Sequence, residues 1–261
     1  MLHKKLARYM ASVEDYRQRL ANLQSAWDTL LVLSHLGGDG SDLSDTRREF
    51  ATLAADLIDS LGSETCKKSL LALQAKTQIA IDILVRNLFE RTADVGFLSA
   101  DDDLCAYLRA AEAKDSGTDR EKATRNEHIR GRLREYVAKY SVYQDVVLLA
   151  ANGELLLSLQ PQTLGSSTDP LIRASVETRA AYVETYRKVD FQPQQERCLI
   201  YSYRIVDDGV TRGVLCLNFN LEDEVRRIFC KLNDANDWTV LTFLDADGTV
   251  IASSDAASAP T

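Results

Sequence analysis

LTFLDADGTVIASSD (residues 241–255) sets an apolar strand, an Asp-Gly turn and a second apolar strand close to the C-terminus. The same pattern occurs 95 residues earlier, where VLLAANGELLLS (147–158) falls on TFLDADGTVIAS (242–253) with Asn152-Gly153 over Asp247-Gly248. Asn-Gly and Asp-Gly between apolar runs are the strongest short-range hairpin signals, because a tight turn needs positive φ and glycine supplies it without strain. Where the second copy has Asp245 the first has Ala150, so what repeats is a turn with its apolar flanks, not a pair of carboxylates.

Taken alone, Asp245-x-Asp247-Gly-Thr-Val resembles the nucleophile motif of haloacid-dehalogenase-type phosphotransferases. Such chemistry needs a downstream hydroxyl, a lysine for the phosphoryl group and a further acidic pair for magnesium. Only 13 residues follow Gly248, and none is Lys or Arg. An EF-hand calcium loop is also unsupported, since its bidentate acid falls on Ser254 and Asp255 is one position late. The stretch is expected to be a hairpin that opens a second module, truncated here, in a chain cut from a longer protein.

The bulk numbers narrow the function classes. The 261 residues are 45% hydrophobic and 27% charged with net charge -8, a balance that repels nucleic acid and anionic membrane. No apolar run reaches the roughly 18–20 residues of a membrane span, and the N-terminus MLHKKLARYMASVEDYRQRL has no signal-peptide core, so a cytoplasmic protein is expected. The five cysteines form no C-x-x-C pair and the three histidines His3, His35 and His128 have no ligand-spaced partners. Glycine-rich phosphate cradles and nucleophile-elbow patterns are missing. No catalytic residue, metal or cofactor is expected.

The fold class is α+β. From Met1 to about Tyr140 the apolar residues recur at helical spacing without proline. Residues 1–62 read as a helical hairpin, with LGGDGSDLSDT (36–46) as its connector and Gly62-Ser63 as the next punctuation. Residues 63–140 read as a long helix and further helices. Leu70, Leu73, Thr77, Ile81, Leu84 and Leu88 trace a seam that serves either an internal bundle or a dimer interface. Ser99 is expected to cap the helix at LCAYLRAAE, 113–122 to be a loop, and 125–139 another helix. Residues 141–232 change to β-rich runs: a hairpin over 145–159, a helix and irregular arm, a hairpin over 197–221 around Asp207-Asp208-Gly209, and a closing helix over 221–232. Residues 233–261 begin the second module.

This order, carried by YQDVVLLAANGELLLS, LIYSYRIVDDGVTRGVLCLNFNLEDEV and TVLTFLDADGTVIASSD, resembles the Cache sensor domains, PAS-like antiparallel modules in the double Cache arrangement. The resemblance implies a ligand-sensing input domain of a bacterial signal-transduction or chemotaxis protein, with the ligand held between sheet and arm. It implies a homodimer and a downstream signalling module as partners. The ligand-binding candidates it points to are Arg179, Tyr182, Tyr186, Arg187 and Asp190 on the arm and Tyr201, Tyr203 and Asn218 on the strands. The amino-acid-binding branch places Asp where this chain has Asn218, and an amide cannot offset a buried ammonium, so a small anionic metabolite is expected. The alternative is a ligand-free scaffold that docks a signalling partner.

Overall fold

A computed structural model describes residues 10–36, 44–113, 118–140, 142–161, 163–233 and 239–255. His3, most of the connector at 36–46 and the middle of the loop at 113–122 lie outside them. The chain forms two compact units, 1–78 and 79–261.

The first unit consists of α1 (Ala11–Leu36) and the N-terminal part of α2 (Ser44–Ser99). Trp27 meets Phe50 with ring centroids 6.3 Å apart, and Arg47 pairs with Asp28 at 2.8 Å. The break expected at Gly62-Ser63 is not there: α2 runs straight through, and its compact unit ends at Gln78. A helix-interior glycine costs only about 1 kcal/mol, too little to stop a helix whose hydrogen bonds continue on both sides.

The second unit is built on a five-stranded antiparallel sheet in the order β2-β1-β5-β4-β3. The strands are β1 (Tyr143–Ala150), β2 (Leu155–Ser158), β3 (Val183–Arg187), β4 (Cys198–Asp207) and β5 (Val210–Phe219). Alternation splits the sheet into two apolar faces. Val146, Leu148, Leu199, Tyr201, Leu215 and Leu217 turn to one side and pack on the C-terminal part of α2 and on α3 (Asp102–Glu112) and α4 (Asp119–Tyr140). Val147, Leu149, Ile200, Val214 and Cys216 turn to the other, under α5 (Pro170–Glu177) and the arm residues Val189 and Phe191. Gly213 lets α3 approach the sheet, since a Cβ there would lie 3.1 Å from Leu108 and 2.4 Å from the Leu149 carbonyl oxygen.

The cap of α3 lies two residues later than expected. Asp101, not Ser99, accepts the Asp103 and Leu104 N–H groups, while Ser99 closes α2 by donating to the Gly96 carbonyl. A carboxylate at the N-cap gains from the helix dipole as well as from the hydrogen bonds, so it outcompetes the serine. Asp101 also pairs with Arg132 of α4 at 2.9 Å.

α6 (Leu221–Leu232), capped by Asn220, leads to β6 (Thr242–Leu244) and β7 (Val250–Ser253). These two strands reproduce the β1–β2 hairpin at an offset of 95: Val147↔Ser158 becomes Thr242↔Ser253, Leu149↔Leu155 becomes Leu244↔Val250, and the bulge falls at the same place. Gly153 donates to Ala150 at 2.9 Å as Gly248 does to Asp245 at 3.1 Å. Both glycines have positive φ, +90° and +81°. The hairpin packs on α6 through Leu241 and Ala252.

Candidate functional site

The space between sheet and arm, where the resemblance places a ligand, is filled. Phe191, Leu171, Ile172, Val214 and Cys216 are buried in one apolar cluster, and Ser175 and Ser202 close the α5 side with a 2.8 Å hydrogen bond. At the lower end of this face sits Asp145, a fully buried carboxylate. It accepts from the backbone N–H groups of Val146, Leu159 and Gln160, from Ser158 Oγ at 2.7 Å and from Gln192 Nε2 at 2.7 Å. Five donors offset its charge without a cation, so it staples the first hairpin to the arm. Its neighbour across the sheet is Asn218, whose Nδ2 donates to Gln195 at 3.0 Å and whose buried Oδ1 accepts nothing.

The sheet separates the residues expected to form one site. Tyr201, Tyr203, Tyr182 and Tyr186 pack with the helix-side core, and Tyr182 meets Tyr201 edge-on at 5.8 Å. Arg187 and Asp190 are engaged on the arm side. Arg187 forks onto Asp169 at 2.5 and 2.8 Å, and Asp190 accepts from Ser167 Oγ at 2.5 Å and from the Thr168 N–H at 2.9 Å. Burial works against the Asp169 carboxylate, but Arg187 and the Leu171 N–H outweigh it and hold its pKa below the ordinary value. Arg179 is exposed just beyond α5. Burial raises the Tyr201 hydroxyl and pushes the Cys198 thiol up to about 11, so neither is an acid–base group near neutral pH.

A cavity of about 620 Å³ lies instead between the end of the sheet and the β6–β7 hairpin. Tyr186 and Phe219 supply aromatic surface, Gln195 an amide, and Arg197, Asp223 and Asp245 charge. Asp245 does here what a turn requires, its Oδ1 accepting the N–H groups of Asp247 at 2.9 Å and Thr249 at 3.0 Å. Its Oδ2 faces Arg197, which also reaches Asp247 at 3.5 Å. Of the expected site residues only Tyr186 lines this cleft. Arg197, Gln195 and Asp223 carry no sequence signal, because their proximity arises only when the hairpin folds back under the sheet. Among the described residues no group of His, Cys, Asp and Glu is placed to hold a metal ion, and no helix is long and apolar enough to cross a membrane.

No family model matches the sequence, and no curated protein matches it. Solved structures match in shape. The sensor domain of the V. cholerae histidine kinase DctB superposes with a TM-score of 0.55 at 15% identity, over 73% of this chain and 69% of that one. A domain of a putative sensory box/GGDEF family protein from Vibrio parahaemolyticus gives 0.45 at 16% identity over 74% and 73%. The ligand-binding domain of the Campylobacter jejuni chemoreceptor Tlp3, in complex with 4-methylisoleucine, gives 0.44 at 16% over 70% and 69%. The first of these likenesses is one of fold. With the sheet order, the arm and the long entering helix, it gives this chain the α+β fold of that sensor domain.

Proposed function

We propose that this chain is the ligand-sensing input domain of a bacterial signal-transduction protein of chemotaxis type, passing a change in its sensor module to a long helix. One observation carries this: α2 enters the core under the sheet and is fastened there at several points. Ala80, Leu84, Val95 and Leu98 are buried beneath the sheet, Asn87 donates to Glu224 of α6 at 2.6 Å, and Tyr143 of β1 donates to Asp94. Arg91 reinforces the last contact by pairing with Asp94 at 2.8 Å. A shift of sheet or α6 therefore moves the helix as a body, and interfaces of this kind switch between discrete packings. Residues 239–255 repeat the hairpin with which the sheet begins, and exposed apolar residues of α2 such as Leu70, Leu73 and Ile81 join two copies.

Thermal unfolding against a panel of small metabolites tests the reading. A ligand that binds the folded state raises the melting temperature by mass action. At least one compound is expected to do so, and a broad panel without a single stabiliser removes it. A second reading, a partner-docking scaffold, draws support from the filled sheet–arm interface and the exposed apolar residues of α2. It predicts no stabiliser and a protein ligand instead.

A further inference from the structure

We propose that the cleft between the end of the five-stranded sheet and the β6–β7 hairpin binds a small primary amine with an apolar body, its ammonium received by Asp245. This rests on the sensor reading and adds to it the place and the charge of the ligand. The charges of the wall decide its sign. The two guanidiniums are committed, Arg226 to Glu222 at 2.6 Å and Arg197 to Asp245 and Asp247. Asp223 has no cationic partner among the described residues; its carboxylate accepts from the neutral amide of Asn220, and its backbone N–H donates to the Asn220 cap. An anion would have to break an existing pair in a field already negative, whereas a cation brings a charge that Asp223 lacks and leaves Arg197 a carboxylate partner in Asp247.

The receiving group is specified. The Asp245 side chain is only 8% exposed and lines the cleft, its Oδ1 holding the turn and its Oδ2 facing Arg197. Arg197 has somewhere else to go, since Asp247 is within 3.5 Å and its side chain is 78% exposed. An ammonium can therefore take Asp245 Oδ2 while the guanidinium swings to Asp247, and no charge is left unpaired. Tyr186, Phe219, Leu199 and Ile251 line the cleft and offer the alkyl body a dry wall. Among the described residues the arm side shows smaller openings, of about 260 and 300 Å³.

Hexylamine, hexanoate and hexanol share a body and differ in charge, so calorimetric titration of the full chain with each isolates the sign. Hexylamine is expected to bind and to raise the melting temperature, hexanoate to do neither, and hexanol to bind more weakly than the amine. Asp245→Asn keeps the Oδ1 acceptor of the turn and removes the charge, and is expected to weaken hexylamine about tenfold, the worth of one ionic hydrogen bond. Should that variant unfold, Thr249→Trp, at an exposed position on the cleft wall, blocks the cleft and is expected to abolish binding. Hexanoate binding more tightly than hexylamine overturns the proposal, as does hexylamine failing to bind or binding undiminished in the two variants. If other metabolites stabilise the protein and neither variant affects them, the cleft assignment falls and the sensor reading stands. If nothing in the wider panel stabilises it, both fall.

Discussion

Gly153 and Gly248 occupy the same position of a repeated turn, yet they differ in what surrounds them. A Cβ on Gly153 would meet the Ser167 carbonyl oxygen at 2.3 Å, because the arm bridges back to this turn, while nothing lies within 4 Å of a Cβ on Gly248. Gly248→Ala therefore carries only the strain of positive φ, about 1 kcal/mol. Gly153→Ala adds a backbone clash and is expected to cost at least about 2 kcal/mol, read as the difference between the two variants in denaturant unfolding. Asp145 is the other residue on which the first module leans. Asp145→Ala leaves buried donors from Ser158, Gln192 and three backbone amides without an acceptor and is expected to cost about 3 kcal/mol or more. Asp145→Asn should recover part of this, since one oxygen remains an acceptor while the new NH2 opposes existing donors.

At the scale of elements, α5 is held to the sheet by an ion pair: Arg187 of β3 grips Asp169, and Asp169 caps α5. Because Asp169 is held below its ordinary pKa when folded, its contribution is present at neutral pH and is lost as pH falls through that lower value. Arg187→Met is expected to lower stability at pH 7 by about 1–2 kcal/mol, a value between those of exposed and buried pairs because Arg187 is partly solvated. The gap from the wild type should close below about pH 4, as unfolding curves at several pH values would show. Elements of this kind were legible in the sequence to different degrees. The hairpins were, because Asn152-Gly153, Asp208-Gly209 and Asp247-Gly248 encode their turns locally, and the structure gives all three glycines positive φ. The end of α2 was less so: Gly62 and Ser99 are helix-breaking types whose effect depends on competitors, and Asp101 won the cap. The site was least legible. Period-2 alternation puts Tyr201 and Tyr203 on one face, but which face of the sheet is lined by helices and which by the arm is a matter of chain path. That path put the tyrosines opposite Arg187, Asp190 and Asn218.

At the scale of the molecule, α2 is one helix with two environments. One face of its C-terminal part, with Ala80, Leu84, Val95 and Leu98, is buried against the sheet, whereas Leu70, Leu71, Leu73, Ile79 and Ile81 are each between 41% and 64% exposed. An isolated helix is marginal in water, and packing of an apolar face supplies most of its stability. Amide hydrogens over residues 84–98 should therefore exchange only by opening of the second unit, and those over 53–73 by cheaper local fraying. If two copies bury the exposed leucines, the protection of 53–73 has to rise with protein concentration while that of 84–98 stays constant, since only the former is coupled to association. Hydrogen exchange at two concentrations reads both segments in one experiment. Leu73→Glu combined with Ile81→Glu, at exposed positions where a monomer tolerates charge, should abolish the concentration dependence and leave residues 84–98 as protected as before. Protection over 53–73 that is high and independent of concentration in both proteins would place the partner of α2 within its own chain and remove the second copy from the account.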